Sequence, residues 1–402
     1  MKLEYLAFLT PILLADLLVL LLTGCTTSGT APFATLTPSG VLALTETPGG
    51  EVPPDTAEPA STETEPPATP TSLPASPTPE PAAETPPAVT PPEQGIIGPD
   101  TAPDLQTAGE VAEADVQTFA WVASEQGEVE LALATTSEVV IYEVDPETLR
   151  TAMEASGPTL LTASPDQQRL AWADGENQVH IWETQNGAQP LSVEAGDEAL
   201  TSLAFSPDGS ALAAASQSSL QIWDATSGEL QVSWDLPSFL TDLTFSPDGT
   251  RLAGADPQNF TVYIFDRESG EVLATLTWEE HASPVLYNAV FSPDWTRIAW
   301  VARGTVQLMD VESGELGVVL SHEDFVSAVD WSPDSRLLVT TAAASVEGEF
   351  VPAAILWDAE TGDQLRVLPL QAAATGVEFS PDGTHLAALQ FGAGIQLWSV
   401  AP

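Results

Sequence analysis

Between residues 203 and 230 the chain reads LAFSPDGSALAAASQSSLQIWDATSGEL, short apolar bursts cut by polar turns. Leu203 and Phe205 alternate with smaller neighbours, which predicts a strand with one packed face. Pro207 sets φ for the second position of a type I turn, Ser206 and Asp208 can satisfy nearby backbone groups, and Gly209 supplies the positive φ that closes a hairpin. Leu212 to Ala215 form a second strand, whose small side chains suit a central place pressed between neighbouring sheets. Leu220, Ile222 and Trp223 mark a third strand, Asp224 to Gly228 the next turn, and Glu229 to Trp234 a fourth strand. Four antiparallel strands in about forty residues make one blade of a β-propeller.

The pattern repeats. Ser-Pro-Asp recurs at Ser164, Ser206, Ser246, Ser292, Ser332 and Ser380, at intervals of 42, 40, 46, 40 and 48 residues, the period of a repeat architecture. Third strands end in Trp182-Glu183, Trp223-Asp224, Phe265-Asp266, Met309-Asp310, Trp357-Asp358 and Trp398-Ser399, with Tyr142-Glu143 one period upstream. That upstream copy lacks Ser-Pro-Asp but keeps Phe119 and Trp121 in place of the first-strand pair, which makes seven units. Second-strand Leu-Ala, Trp-Asp and Ser-Pro-Asp-Gly recurring in order resemble the WD40 repeat family, over roughly residues 105 to 402. The resemblance implies an all-β fold, a seven-bladed WD40-type β-propeller, and a binding platform rather than an enzyme. Family members often carry Gly-His before the first strand and an Asp between the second and third, joined in a buried hydrogen-bond network. Here only His281 and His322 fall near the His position, and Gln217 and Arg303 stand where the Asp would be, so the network is expected to be largely missing. The seventh unit shows three strands before residue 402, so its fourth is expected from Leu105 to Val116.

The region before the repeats changes character twice. Residues 5 to 22 are apolar and run into Leu22-Thr23-Gly24-Cys25, a short apolar segment finishing in small residues, as in a secretory signal. The tetrapeptide resembles a bacterial lipobox, which implies lipidation at Cys25 after removal of residues 1–24. The alternative is a retained signal-anchor helix, to which Glu4 and Asp16 lend weight. Cys25 is the one Cys of 402 residues, so no intramolecular disulfide can form. From 25 to 103 the composition turns to Pro, Thr, Ser, Ala and Glu: 19 of the 35 prolines lie between Thr26 and Pro103, without one Lys or Arg. Such a segment cannot bury enough apolar surface to offset its ordering entropy, so a disordered tether is expected, spanning on the order of 50 Å as a flexible coil. The domain reading is therefore a lipoprotein signal peptide (1–24), a disordered Pro/Thr/Glu-rich tether (25–103) and a propeller (104–402).

Charge narrows the partners. The formal net charge is −49, and the single lysine is Lys2. Such a field repels phosphate backbones, so nucleic acid is not expected as a partner, while a protein or peptide is. Solubility or salt adaptation would also account for the acidity. No catalytic, metal or cofactor site emerges: His180, His281, His322 and His385 lie in different repeats, none with a ligand at metal-binding spacing. His180 is expected as a structural or rim residue, and His385, just after a corner, as exposed. Function should sit where the units differ. Thr277 to Asn288 gathers Trp278, Glu279, Glu280, His281 and Tyr287; Ala344 to Pro352 is an inserted loop with Glu347, Glu349 and Phe350; Trp234 and Phe239 approach from the preceding connection. Aromatics among carboxylates are the composition of a protein-binding surface, although Trp234 and Trp278 taken singly could instead cap blade ends as core. A scaffold on a membrane outside the cytoplasm is the expected function. A hydrolase of peptide or sugar using the central channel, or a passive surface-layer or adhesive protein, are the alternatives.

Overall fold

A computed structural model describes residues 95–113, 115–124, 126–144, 147–185, 189–278, 288–302, 304–346 and 348–400. The apolar run, Cys25, the tether up to residue 94, and Glu279, Glu280, His281, Tyr287, Arg303 and Glu347 lie outside these described residues.

Seven four-stranded antiparallel sheets follow one another along the chain, as blades 1 to 7. In blade 3 the strands are Leu200–Phe205, Ala211–Ser216, Ser219–Asp224 and Leu230–Asp235, paired in sequence order from inside to outside. The other blades repeat this plan, and first strands of successive blades neighbour one another around a central channel. Burial follows position in the blade. The second strand ALAAAS is buried at every residue, because sheets press on both its faces, whereas the fourth strand LQVSWD is mostly exposed. Alanine at these second-strand positions allows the close approach.

The core is seven clusters, one for each blade-to-blade junction. Leu203, Phe205, Leu212 and Trp223 of blade 3 meet Ala171, Val179 and Ile181 of blade 2, while Ala213, Leu220 and Ile222 meet Leu243, Phe245 and Leu252 of blade 4. The seventh cluster joins Ala387, Leu389, Ile395 and Leu397 of blade 7 to Phe119, Trp121, Leu131 and Leu133 of blade 1, so the ring is closed.

The expected fourth strand of blade 7 is Leu105–Val111, which pairs antiparallel with the third strand, Gly394–Val400, from Leu105↔Val400 to Val111↔Ile395. Just before it, Ile97 and Ala102 are buried with Leu337, Leu356 and Trp398, and the Ile97 N–H donates to the Gly383 carbonyl at 2.8 Å. Gly394 makes the closure possible. Its φ is +77°, and a Cβ there would overlap the Val111 carbonyl oxygen.

Each corner is held as its sequence implies. Ser206 Oγ donates to Asp208 Oδ1 at 2.6 Å and accepts the Ala211 N–H at 2.9 Å, while Asp208 Oδ1 accepts the Ser210 N–H at 3.0 Å. The same bonds recur at Ser246, Ser292, Ser332 and Ser380, and all six corner serines are buried. Corner φ is positive at Gly209, Gly249 and Gly383, but also at Gln167, Trp295 and Ser335, where burial and hydrogen bonds must offset the strain. Blade 1 reaches its turn differently: Ser124 Oγ accepts the N–H groups of Gln126 and Glu128, and the Gly127 N–H donates to the Ser124 carbonyl.

Replacing Gly394 by Ala should open the closure. The methyl group meets backbone, and the left-handed φ adds strain, so a loss of at least about 2 kcal/mol is expected. Thermal unfolding and amide exchange of residues 105–111 measure it. Unchanged protection of that strand would contradict the closure as the point of weakness.

Candidate binding face

Two kinds of connection leave each blade at opposite ends of its strands. The Ser-Pro-Asp corners and the third-to-fourth turns share one end; the second-to-third turns and fourth-to-first loops share the other. Carboxylates occur at both ends, but the described arginines are unevenly placed. Of the seven described arginines, Arg169, Arg251 and Arg297 begin second strands, just after corners, Arg336 lies in a corner one residue before such a strand, and Arg267 in a third-to-fourth turn. Arg150 and Arg366 lie in fourth strands. None lies in a second-to-third or fourth-to-first connection.

Most of these cations are bound into the scaffold, whereas Arg336 is exposed. Arg169 Nη1 donates to the Gly209 carbonyl of the next blade at 2.8 Å. Arg251 and Arg297 stack over Trp295 and Trp331 of the following blade at 5.3 and 5.0 Å, and Arg297 also donates to the Ala359 carbonyl at 2.8 Å. Arg150 pairs with buried Glu130 at 2.7 Å; burial raises the Glu130 carboxyl, and the guanidinium opposes that shift. At the equivalent position of blade 7 stands His385. The expectation that it is exposed is wrong: it is 6% exposed, its ring 6.2 Å from Trp121 of blade 1, and Nδ1 lies 2.8 Å from Thr384 Oγ1. The residue after each corner points into the junction with the next blade, where an imidazole packs as an arginine does.

The other two described histidines serve the fold as well. His180 stacks on Trp172 at 5.1 Å, and its Nε2 lies 2.9 Å from Asp174 Oδ2. Burial works to raise the Asp174 carboxyl, but bonds from His180 and from the Gln178 and Glu176 N–H groups hold it below the usual carboxylate range. His322 corrects the expectation of a largely missing network in one blade. Its Nε2 lies 2.8 Å from Thr340 Oγ1, which also accepts the Trp357 Nε1–H at 2.9 Å, and burial lowers the imidazole to about 4.

Carboxylates crowd the opposite connections, with Glu113, Asp174, Glu176, Glu198, Glu323 and Asp324 among them. Glu198 accepts bonds from the Ser216 and Ser218 hydroxyls, which lower its carboxyl. The expected inserted loop at Ala344 to Pro352 is a correction too. Leu337–Val346 and Glu349–Asp358 form one long hairpin whose ladder runs to Val346↔Glu349, so the extra residues extend the two strands past the blade rather than forming a loop. It lifts Phe350 to the tip, 65% exposed, beside exposed Glu349.

The remaining sequence candidates scatter. Trp278 is 6% exposed, its ring 6.3 Å from Trp300, and belongs to the core between blades 4 and 5. Trp234 is half-buried in the outer strand of blade 3, where it covers Gly270 in a turn of blade 4; a Cβ there would meet the indole at 2.6 Å. Phe239 is half-buried in the loop before blade 4. Only Glu349 and Phe350, of the described candidates, come together on an exposed surface. Sequence reading missed Phe391, 53% exposed in the second-to-third turn of blade 7, which the Phe-Gly-Ala-Gly stretch could have marked as an unusual turn.

Three more carboxylates lie where first strands meet around the channel. Asp330 Oδ2 of blade 6 accepts the Phe379 N–H of blade 7 at 2.8 Å, and Asp242 likewise bonds the Ala289 N–H of blade 5. The ring encloses them, and burial pushes Asp242 up to about 6 and Asp330 up to about 7. Burial and the Asp330 charge together raise Glu378 well above its ordinary value. They act as acceptors for the inner-strand backbone, a place the uncharged Ser202 takes at the Leu243 N–H, 3.0 Å away. Among the described residues, no group of three or more His, Cys, Asp or Glu could hold a metal ion.

With this geometry in view, two segments, residues 189–224 and 314–346, match the WD40 family model, described as WD domain, G-beta repeat. Each match begins near the fourth strand of one blade and runs into the next, so it follows the repeat unit. The chain is a seven-bladed β-propeller with WD40-type repeats in these two segments, and WD40 propellers commonly serve as scaffolds for protein interactions.

The channel acids set a pH dependence. Unfolded Asp loses its proton near pH 4, whereas folded Asp330 keeps it to about 7, so the folded state binds the extra proton between those values and stability falls as pH rises through them. Corner carboxyls oppose this only at lower pH: serine hydroxyls hold Asp208 and Asp248 at about 2, and their stabilisation is lost as pH drops from about 4 towards 2. The Asp330→Asn variant keeps an acceptor for the Phe379 N–H without the charge. It should gain on the order of 2 kcal/mol over the native protein at pH 8 and little at pH 5. Parallel melting curves at the two pH values test this, and an equal effect at both would refute the assignment.

Proposed function

We propose that this protein is a membrane-tethered, extracytoplasmic propeller that acts as a protein- or peptide-binding scaffold. The observation that carries the scaffold reading is the exposed phenylalanine on the second-to-third and fourth-to-first connections, set among carboxylates at an end of the ring where no described arginine lies. The net charge of −49 supports a protein partner over a nucleic acid. Asp330 and Asp242 are engaged as backbone caps, which favours a structural channel over a hydrolytic one. Crosslinking on intact cells, followed by identification of what is attached, should recover a discrete partner protein. If only lipid or no adduct is recovered, the scaffold reading falls.

The tethering reading rests on Leu22-Thr23-Gly24-Cys25 and the arginine-free, proline-rich stretch after it. Acyl chains on Cys25 would contribute about 0.8 kcal/mol per buried methylene and hold the protein on a bacterial envelope membrane. Cys25→Ala should move the protein from the membrane fraction to the soluble fraction. Membrane retention of the variant, with no acyl mass on the native protein, would instead indicate a retained signal-anchor helix.

A further inference from the structure

Among the described residues, the exposed phenylalanines of the propeller all lie at one end of the ring. Among the described residues, the large apolar side chains with substantial exposure include three phenylalanines, Phe325, Phe350 and Phe391; the others are aliphatic and lie on outer strands or at Ile96. Phe325 lies between blades 5 and 6, Phe350 at the tip of the second-to-third hairpin of blade 6 and Phe391 in the second-to-third turn of blade 7, so all three share one end of the ring.

Backbone bonds tie the two most exposed to a common loop. The Leu370 N–H donates to the Pro352 carbonyl, two residues beyond Phe350, at 2.8 Å; the Phe391 N–H donates to the Ala373 carbonyl at 2.9 Å. The loop between those anchors is itself fixed, since buried Gln390 Oε1 accepts the N–H groups of Gln371 and Ala372 at 2.7 and 3.1 Å. Phe350 and Phe391 thus flank residues 370–373, a support in which the N–H groups of Leu370, Gln371 and Ala372 and the Ala373 carbonyl are all bonded. An anchored backbone leaves only side-chain entropy to be lost when such rings are covered, and aromatic residues dominate binding energy.

The chemistry of the occupant follows from charge. Glu323, Asp324 and Glu349 are exposed on the same connections, and no described arginine lies in any of them. A second copy of this chain would bring its own carboxylates against these; a cationic segment would not. We propose that Phe350 and Phe391 form a docking patch for a cationic peptide segment, in which an aliphatic or aromatic side chain lodges against the two rings while flanking lysines or arginines meet Glu323, Asp324 and Glu349. This rests on the scaffold reading and names the class of partner for it.

The test uses the full-length protein and a short synthetic peptide alternating lysine with leucine, beside lysine–serine and glutamate–leucine versions. The lysine–leucine peptide should bind, and the Phe350→Ala/Phe391→Ala double variant should bind it at least about tenfold more weakly, with affinity restored by Leu at both positions. Both rings are exposed, so the melting temperature of the variant should be unchanged. Equal affinity of native and variant protein for lysine–leucine, or tighter binding of glutamate–leucine, overturns the patch. The two readings fail separately. A crosslinked partner that stays on the double variant keeps the scaffold and removes the patch, whereas a native protein that captures no partner removes the scaffold.

Discussion

Every sheet in this molecule is covered only by its two neighbours, and that requirement orders the rest. A single four-stranded blade buries one face at most; in a ring, second strands such as ALAAAS are buried entirely. The benefit comes only if the last junction forms. Leu105–Val111 completes it by adding the outer strand of blade 7, which lets the cluster of Phe119, Trp121, Ala387 and Leu397 assemble from residues nearly three hundred positions apart. Closing a loop of that length costs only slowly growing entropy, while an open ring would leave two apolar sheet faces in water. Gly394 stands at the tightest point of the ladder and has no room for a side chain.

The corners do two jobs with one motif. Within a blade, the Ser–Asp pair satisfies the backbone of the turn; between blades, the residue that bonds the serine hydroxyl aims its side chain at the next blade. Arg169, Arg251, Arg297 and His385 all hold that position. A chain with so few cations places a large share of them at these junctions, where a guanidinium both stacks on an aromatic face and donates to carbonyls. The acidic surface elsewhere is therefore not balanced locally. It is the residue left after the cations are assigned to the scaffold.

Much of this was legible because the repeat states it several times over. Strand order, the corner geometry and the source of the closing strand follow from periodicity and turn chemistry, which are local. What escaped depends on neighbours. His385 looks exposed by its place after a turn, yet the twist of the next blade covers it with Trp121. Trp295 occupies a left-handed position that favours glycine, and only its burial among Phe291 and Arg251 explains its tolerance there. Ala344 to Pro352 reads as an insertion by repeat length, but its residues pair across the hairpin, from Ala344↔Val351 to Val346↔Glu349, and so extend the sheet. The candidate site was half visible: Phe350 and Glu349 stood out as irregularities, whereas Trp234 and Trp278 have the same composition and different burial, which sequence alone does not separate.

The channel carboxylates and the surface carboxylates answer to different constraints. At the first strands the need is an acceptor for a backbone N–H that has no sheet partner, and Ser202 shows that a hydroxyl suffices. Asp242 and Asp330 meet the same need at the cost of holding a proton near neutrality, so they weaken the ring at the pH where surface acids are fully charged. Acidity inside the ring is thus tolerated for its geometry. On the second-to-third and fourth-to-first connections Glu323, Asp324 and Glu349 are exposed, beside aromatic rings that gain from being covered. A partner able to supply positive charge there would relieve repulsion and bury apolar surface in a single step, while the corner side, without a described exposed phenylalanine, offers less apolar surface to bury.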